Sequence, residues 1–217
     1  WETELRIAVN GIIEFERLRP LIEDFRRASP TTRLRFSHEV LAGSWEALTD
    51  DRADLVLAAT GEGTPLALAP DAIGTRPMGV VRFVYCVAPH HPLAAATEPI
   101  EADSLQRHCA IALADTVRRA EPHNAGLLAG QPTITVATLE QKIALQLAGT
   151  GVGFLPEAVA RPYLADGRLL ARQVLHRNPD QQAYYAWRRQ HPGKGLAWWV
   201  DRLALPIVQQ RLMADPS

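Results

Sequence analysis

The sequence lacks the short motifs that mark the common classes of enzyme active site. There is no G-x-S-x-G nucleophile elbow, no G-x-x-x-x-G-K-[ST] phosphate loop and no H-E-x-x-H zinc motif. The adjacent His90 and His91 lie in a proline-broken stretch, where neighbouring side chains rarely converge on one metal. Asp50 and Asp51 stand beside an arginine, which is typical of a solvated turn. We therefore expect no enzymatic activity, no cofactor and no metal site.

Cysteine is also scarce. Cys86 and Cys109 are the only two cysteines, and neither a C-x-x-C motif nor a histidine cluster accompanies them. This pattern predicts buried free thiols in a cytoplasmic protein rather than a zinc site or a disulfide framework. No apolar run approaches the roughly 20 residues that span a bilayer, so we expect no membrane partner. No signal peptide is present, and the chain begins at Trp1 instead of methionine, so we expect a fragment or a processed product.

An excess of positive charge is missing as well. The 217 residues include 24 acidic and 23 basic ones, for a net charge of −1. Surfaces that bind nucleic acid are normally basic, so this chain alone is not expected to bind DNA. Its hydrophobic content of 47% is enough to bury a core, either as one domain or as two small lobes.

Strand-like and helix-like stretches alternate along the chain. Leu18, Leu21, Ile22 and Phe25 form the apolar stripe of a first helix that begins near Pro20. Predicted strands cover residues 4–9, 34–40, 53–59, 80–88, 109–113, 133–136, 151–155 and 183–187. This alternation predicts an α/β fold with parallel sheets and right-handed crossovers. The strands at 83–88 and 183–187 are the natural places for the chain to cross between two lobes.

The segment Thr138–Pro156, TLEQKIALQLAGTGVGFLP, is the most informative one. Thr138 and Gln141 have the T-x-x-Q spacing of a capping box, and an apolar stripe follows at helical spacing. Gly149 stands where a left-handed C-terminal cap is expected, and a short apolar strand follows. A helix that begins at the end of a strand presents free N–H groups, as at a ligand-binding edge, but a plain structural unit would have the same pattern.

Small polar groups follow several of the predicted strands. In open parallel sheets, ligands bind beyond the carboxyl ends of the strands. These junctions could therefore line one cleft, with Trp45 and Phe154 supplying apolar surface. The junctions are Asn10-Gly11, Ser44-Trp45, Thr60, Asp115-Thr116 and Thr138.

The order of these motifs resembles the effector-binding domain of LysR-type transcriptional regulators. The resemblance covers essentially the whole chain, and the order and spacing of the motifs make it specific. They are ELRIAV, RPLIEDFRRASPTTRLRF, GSWEALTDDRADLVLAA, HHPLA after VVRFVYCVA, TLEQKIALQLAGTGVGFLP and DGRLL.

The resemblance implies two Rossmann-like α/β lobes joined by two crossing strands, as in the type 2 periplasmic binding proteins. Residues 1–86 with 184–217 would form lobe I, and residues 87–183 would form lobe II. An effector would bind in the cleft between the lobes. Carried over residue by residue, the binding positions are Asn10, Gly11, Ile12, Ile13, Trp45, Thr60, Asp115, Thr116, Thr138 and Phe154.

The resemblance also implies partners. The family's N-terminal winged helix-turn-helix is absent from this chain, so DNA would be bound only through that missing domain. We expect a homodimer or tetramer, with the helix at residues 20–27 as the first candidate for the interface. The first pocket loop reads Asn-Gly-Ile-Ile where the family often has serine or threonine. No lysine or arginine stands at the junctions, which favours a weakly charged or neutral small-molecule effector, and Trp45 favours an aromatic one.

Two other functions are compatible with the sequence. A free-standing solute-binding protein of a transport system would share the fold, and the residues upstream of Trp1 would distinguish it from a regulator. An α/β enzyme would become the better interpretation if a metal or a covalent adduct were found at His90 or Asp115.

Overall fold

The structure is a computed structural model that describes residues 1–60, 71–119, 126–176, 178–189 and 193–213. Two short 3-10 helices lie at Phe15–Leu18 and Pro92–Ala95. In chain order the other elements are β1 (Glu4–Asn10), α1 (Arg19–Ala28), β2 (Arg33–Glu39), α2 (Gly43–Thr49), β3 (Leu55–Ala59), β4 (Ile73–Val81), β5 (Phe83–Val87), α3 (Ala102–Gln106), β6 (Ala110–Leu113), β7 (Thr133–Val136), α4 (Leu139–Leu147), β8 (Gly153–Pro156), α5 (Glu157–Ala165), β9 (Leu170–Arg172), β10 (Gln181–Arg188), α6 (Lys194–Leu203) and α7 (Pro206–Met213).

The chain divides into two compact units, each made of separate segments. Unit 1 comprises Trp1–Val80, Asp115–Pro122 and Gln181–Ser217, and unit 2 comprises Val81–Ala114 and His123–Asp180. The chain first leaves unit 1 inside β4 and finally returns to it at the start of β10. The lobe boundaries expected from the sequence, 1–86 with 184–217 and 87–183, remain a proposal.

A five-stranded sheet with the order β2-β1-β3-β10-β4 forms the centre of unit 1. β1 lies between two parallel neighbours, and its Ile7 pairs with Phe36 on one side and with Leu55 on the other. Its interior is buried on both faces, as expected for a central parallel strand. β10 pairs antiparallel with β3. The edge strand β4 contains Pro77, which cannot donate a ladder hydrogen bond and is tolerated at a sheet edge.

Helix α1 covers unit 1 with the apolar stripe that the sequence predicts. Pro20 lies in its first turn, and Leu21 and Phe25 are buried. The Phe25 ring packs edge-on against Trp198 of α6, with the centroids 5.2 Å apart, and against Trp199 at 5.8 Å. This aromatic cluster fixes α1 against α6, because each large ring removes considerable apolar surface from water.

Unit 2 contains two smaller sheets, β8-β5-β9 and β6-β7. β5 is antiparallel to both of its neighbours, whereas β6 and β7 are parallel. A parallel bridge between Ala110 and Val152 connects β6 to the segment that leads into β8. The parallel pairing of β6 with β7 places Leu113 opposite Val136, at the end from which α4 begins.

Helix α4 has the capping predicted from the sequence. Thr138 and Gln141 form a complete capping box, and Leu139 and Ile143 are buried. Gly149 has a φ of +70°, the left-handed conformation expected just beyond the helix. The capped helix and the strand that follows it are therefore confirmed.

Some elements differ from the sequence-based expectation. The single strand predicted at residues 80–88 is two strands in the structure, since β4 ends at Val81 and β5 begins at Phe83. The carbonyl of Arg82, between them, accepts the N–H of Glu157 at 2.8 Å and not that of a neighbouring strand. Strand β9 and helices α5 and α7 were not predicted.

Candidate functional site

The loop that follows β1 is held in place by the side chain of Asn10. Its Nδ2 donates to Ser44 Oγ at 3.1 Å, and its Oδ1 accepts the N–H of Ile12 at 3.1 Å. The N–H of Ile13 donates to the Asn10 carbonyl at 3.0 Å, and the N–H of Gly11 donates to the carbonyl of the last residue of β2 at 3.2 Å. The predicted pocket loop is therefore a fixed turn at the carboxyl edge of the sheet, joined to the start of α2.

Trp45 of α2 and Thr60 after β3 meet at the same edge. The indole Nε1 donates to the carbonyl oxygen of Thr60 at 3.2 Å. Trp45 is only 3% exposed, belongs to the apolar core of unit 1, and lies 6.1 Å from the ring of Tyr184. Just before Thr60, Ala58 has a φ of +57°, at a point where the pairing of β3 with β10 shifts register. Trp45 makes the contacts of a core residue, and its predicted role in ligand binding stays a prediction.

The segment that begins at Asp115 is hydrogen bonded to the region between β2 and α2. Asp115 Oδ1 accepts the N–H of Gly43 at 3.1 Å. Thr116 Oγ1 accepts the N–H of Val40 at 2.9 Å and donates to Glu39 Oε2 at 2.6 Å. A side chain at Gly43 would overlap Thr116. The sequence predicted both Asp115 and Thr116 as site residues, and unit 1 brings them together with the end of β2 and the start of α2.

A network of charged groups supports this arrangement and was not predicted from the sequence. The buried carboxylate of Glu39 accepts a hydrogen bond from Arg52 at 2.7 Å, and Arg52 also reaches Glu46 at 3.3 Å. The Glu46 carboxylate accepts the N–H groups of Arg118 and Arg119 at 2.7 and 2.8 Å. The sequence signal is weak, because Glu39 lies on the face of β2 opposite to its alternating apolar residues.

The predicted site residues of unit 1 fall into two groups by exposure. Asn10, Ile13, Trp45 and Thr60 are buried. Gly11, Ile12, Asp115 and Thr116 are half-buried. The half-buried residues offer surface that a small molecule can contact. The buried residues hold the edge of the sheet on which that surface lies.

Unit 2 contains the other two predicted residues. Thr138 Oγ1 accepts the N–H of Gln141 at 3.3 Å, and Gln141 Oε1 accepts the N–H of Thr138 at 3.3 Å. Phe154 lies on β8, with its ring edge-on to Tyr85 at 5.0 Å and tilted against His176 at 6.4 Å. Both residues are half-buried, so both retain surface for a ligand.

A buried amine on α4 was also missed by the sequence analysis. Lys142 is only 8% exposed, and Gln146 one turn further along is fully buried. Burial lowers the pKa of Lys142 to about 8. Burial raises the pKa of the nearby Cys86 thiol to about 12, against the opposing effect of the Lys142 charge. The sequence does contain a signal, because Lys142 and Gln146 are polar residues four positions apart beside the apolar stripe. The sequence alone cannot show which face of α4 the neighbouring strands cover.

Histidines also lie close together in unit 2. The rings of His91 and His108 have centroids 4.9 Å apart, and Nδ1 of His91 accepts the N–H of Leu93 at 3.2 Å. Burial, and secondarily the neighbouring histidines, lowers the pKa of His91, and burial likewise lowers that of His108. Within the described ranges, no three metal-ligating side chains are grouped so as to hold an ion. No helix in the same part of the chain has the length and apolar character needed to cross a membrane.

Known proteins similar to this chain are transcription regulators. The family model described as LysR substrate binding domain matches residues 1–205. The uncharacterized HTH-type transcriptional regulator YeeY of Escherichia coli (strain K12) is 36% identical over 203 residues, which cover 94% of this chain and 64% of that protein. The HTH-type transcriptional activator AllS of Klebsiella pneumoniae is 34% identical over 171 residues, covering 78% of this chain and 62% of that protein. The chain thus spans less than two thirds of the length of these relatives.

Solved structures agree in fold. The regulatory domain of NMB2055 (MetR), a LysR family regulator from Neisseria meningitidis, has a TM-score of 0.67 and 24% identity, covering 98% of this chain and 94% of that chain. The regulatory domain of CrgA from the same species has a TM-score of 0.64 and 20% identity, covering 98% and 100%. These similarities confirm the predicted α/β fold of the type 2 periplasmic-binding-protein kind. None of the comparisons supports the transport alternative.

Proposed function

The chain belongs to the LysR substrate-binding domain family, and from that premise we propose that the carboxyl edge of the unit 1 sheet binds part of a small-molecule effector. One observation carries this proposal. Asp115 and Thr116 are hydrogen bonded to residues 72 to 77 positions away, at the end of β2 and the start of α2. Ligands of open α/β sheets bind beyond the carboxyl ends of strands, where several chain segments meet.

The surface at this edge combines polar and apolar groups. The half-buried Asp115 and Thr116 supply a carboxylate and a hydroxyl, and Ile12 supplies an apolar contact beside the half-buried Gly11. Small-molecule sites usually combine apolar lining with a few fixed polar groups in this way. The hydrogen bonds of Asn10 fix the loop before any ligand arrives, which reduces the entropy lost on binding.

Thr138 and Phe154 are proposed as further effector contacts on unit 2. Thr138 lies at the N-terminus of α4, where the helix dipole favours an acceptor group. Phe154 offers a half-buried aromatic face. An aromatic effector, suggested by the sequence analysis on account of Trp45, would find its ring contact at Phe154, because the Trp45 ring is enclosed in the core.

The proposed role in the whole regulator is to control DNA binding. An effector changes an equilibrium only if it binds two arrangements of the regulator with different affinities. We propose that the intact protein has a DNA-binding domain, acts in the cytoplasm as a homodimer or tetramer, and has no catalytic activity. The relatives support this proposal because they are HTH-type regulators longer than this chain.

The unit 1 site can be tested with two variants. A thermal-shift screen of small aromatic, purine-like and carboxylate metabolites would first identify a compound that stabilises the chain by mass action. Asp115→Asn keeps an oxygen that can accept the N–H of Gly43 but removes the charge, and Ile12→Ala removes a half-buried apolar contact. Each should weaken binding of that compound about tenfold, which corresponds to about 1.4 kcal/mol. Ile12→Ala should leave the melting temperature without ligand nearly unchanged. Asp115→Asn weakens the hydrogen bonds from the N–H groups of Gly43 and Val117, so its binding is measured at a temperature at which the chain is folded.

Asp103→Asn is the matched control, because this carboxylate is exposed on α3 of unit 2. It should bind the compound as the wild-type chain does. If Asp115→Asn and Ile12→Ala both bind with wild-type affinity, the effector site is not at this edge.

A further inference from the structure

Lysine is used at only two positions, although the chain has 23 lysines and arginines. Lys194 is exposed near the start of α6. Lys142 is 8% exposed in the middle of α4. Removing an ammonium group from water costs several kcal/mol unless it is paired, so the surroundings of Lys142 should show what stabilises it.

Among the described residues around Lys142, no counter-charge is found. Nζ lies 3.5 Å from the point that a Cβ on Gly153 would occupy, and that point is 3.4 Å from the carbonyl oxygen of Ile111. Cys86 on β5 is the titratable side chain that acts on Lys142, and its raised pKa keeps the thiol neutral. Among the residues that the structure describes, none forms a hydrogen bond or an ion pair with Nζ. The amine therefore lies among α4, β5, β6 and β8, and no described residue pairs with it.

A second polar group without a partner lies one turn further along α4. Nε2 of Gln146 donates to the carbonyl oxygen of Gly153 at 2.9 Å. Its Oε1 is completely enclosed and has no hydrogen-bond partner in the part of the chain that the structure describes. Nζ of Lys142, unlike Oε1 of Gln146, is not completely enclosed. Of these two polar groups, the Lys142 amine is therefore the one that keeps some contact with solvent.

These residues form a graded polar stripe along the helix. Thr138, Lys142 and Gln146 are four positions apart and therefore lie on one face of α4. Thr138 is half-buried, Lys142 is 8% exposed and Gln146 is fully buried. Helical side chains lean towards the N-terminus, so the stem of Lys142 leans towards Thr138, the proposed effector contact of unit 2.

We infer that Lys142 is the anchor for an anionic group of the effector, such as a carboxylate, inserted between the start of α4 and β8. The inference rests on the proposed function, because it assigns a chemical class to the ligand of that site. Gly153 provides the room, since any side chain there would stand within 3.6 Å of both Lys142 and Gln146. The sequence favoured a neutral effector because no lysine or arginine stands at the junctions. Lys142, one turn inside α4, supplies that cation, so we expect a small acid as the effector.

The anion follows from the charge state of the amine. With a pKa of about 8, Lys142 is mostly an ammonium at neutral pH. Attraction between opposite charges is much stronger in a partly dry site than in water. An incoming carboxylate therefore gains an ion pair and raises the pKa of Lys142, so that binding takes up protons near pH 8 to 9 and weakens as the pH rises further.

The two lysines make a direct test possible. The chain, labelled with 13Cε-lysine, should give two lysine resonances, and Lys194 is the internal control. Acetate is the probe, and acetamide, which has the same shape without the charge, is the matched control at constant ionic strength. Acetate should raise the titration midpoint of Lys142 by one unit or more, equivalent to a tenfold preference for the ammonium form, while acetamide leaves it unchanged. Equal responses to the two probes, or equal responses of the two lysines, would overturn the inference.

Variants distinguish the anchor from a structural amine. Lys142→Met should lower acetate affinity at least tenfold and remain folded, because an apolar side chain of similar length suits the site. Lys194→Met should change nothing. Gly153→Ala should also weaken acetate binding, because it adds a methyl group about 3.5 Å from Nζ. Since Gly153 has a φ of +152°, alanine also strains the backbone there, so the melting temperature of this variant is measured beside its acetate affinity. A Gly153→Ala chain that binds acetate normally would contradict the location.

The same variants separate this inference from the proposed function. A screened effector that loses affinity in Asp115→Asn but binds Lys142→Met normally would uphold the unit 1 site and overturn the anchor. An effector that binds Asp115→Asn and Ile12→Ala normally but loses affinity in Lys142→Met would establish the anchor and overturn the unit 1 site.

Discussion

The hydroxyl oxygen of Thr116 lies 2.6 Å from Oε2 of the buried Glu39 carboxylate, 77 positions earlier in the chain. The same hydroxyl accepts the N–H of Val40. One threonine thus satisfies a carboxylate and an amide at the end of β2. A residue selected from the sequence as a ligand contact is also part of the structure that holds the edge together.

Thr116→Val should destabilise unit 1. The valine has a similar shape but leaves the buried carboxylate with one hydrogen bond fewer, and a hydrogen bond to a charged group contributes about 1.5–3 kcal/mol. Urea unfolding measures the loss. Thr133→Val is the control, because Thr133 is exposed and its hydroxyl donates to the Gln131 carbonyl close by in the chain. It should change stability by less than about 0.5 kcal/mol. Equal stability of the two variants would show that the Glu39 contact contributes nothing.

Trp45→Ala should reduce stability more than it reduces ligand binding. Trp45 is almost fully buried in the core of unit 1, and truncating such a ring costs about 3–5 kcal/mol. A ligand contact at Trp45 would instead give a weaker ligand response with the fold intact. Trp1→Ala is the matched control, because that ring is 53% exposed and should cost far less. A Trp45→Ala chain that melts at the wild-type temperature would return Trp45 to the candidate ligand contacts.

Two glycines with the same backbone conformation should respond differently to alanine. Gly130 and Gly149 have φ values of +75° and +70°, so alanine costs about 1–2 kcal/mol of strain at either position. A side chain at Gly130 meets nothing, whereas one at Gly149 overlaps the ring of His90, which is 3.2 Å from the Ala148 carbonyl. Gly149→Ala should therefore cost about 0.5–1.5 kcal/mol more, the value of that hydrogen bond.

Guanidinium unfolding measures both glycine variants. In a chain that carries His90→Ala, the difference between them should disappear. If the difference persists without the His90 ring, its cause lies elsewhere in the turn.

Stability should depend on pH through Lys142. Its pKa is about 8 in the folded chain and 10.5 in the unfolded one, so between these values the unfolded chain binds more protons and stability rises with pH. Below pH 8 the full penalty of the buried ammonium is present, about 3 kcal/mol for this shift. Lys142→Met avoids that penalty and should be the more stable chain at pH 7, with the difference shrinking from pH 8 to 10.5.

Urea unfolding of both chains across this pH range measures the effect. The difference between the chains cancels other titrating groups, and in the folded chain the Cys86 thiol with its pKa of about 12 stays neutral. A difference that does not change with pH would mean that Lys142 is not titrating in this range.

Local patterns in the sequence predict α4 well but not its surroundings. The capping box of Thr138 and the left-handed Gly149 follow from short-range chemistry, and the structure confirms both. The apolar stripe predicts Leu139 and Ile143 as buried, which is also correct. The buried face is wider than the stripe, however, and includes Lys142, because neighbouring strands, and not the helix itself, decide how much of the helix is covered.

The candidate site shows the same limit. Asn10 and Thr116 were predicted because strand ends collect polar groups. The contact of Thr116 with Glu39 depends on chain segments that only the tertiary fold brings together, and no local pattern could predict it. The break at Arg82 was missed for a similar reason, since its carbonyl bonds to Glu157 in place of a strand partner.

The strand order of unit 1 has a consequence for synthesis of the protein. β10 lies between β3 and β4, although more than a hundred residues of chain separate it from β3. While the ribosome is still translating the segments before Gln181, β4 has no neighbour in this sheet. The edge of β3 that later pairs with β10 is also unpaired at that stage. Sheet closure must therefore wait for the last strand, which favours slow folding and exposes an unpaired strand edge in the nascent chain.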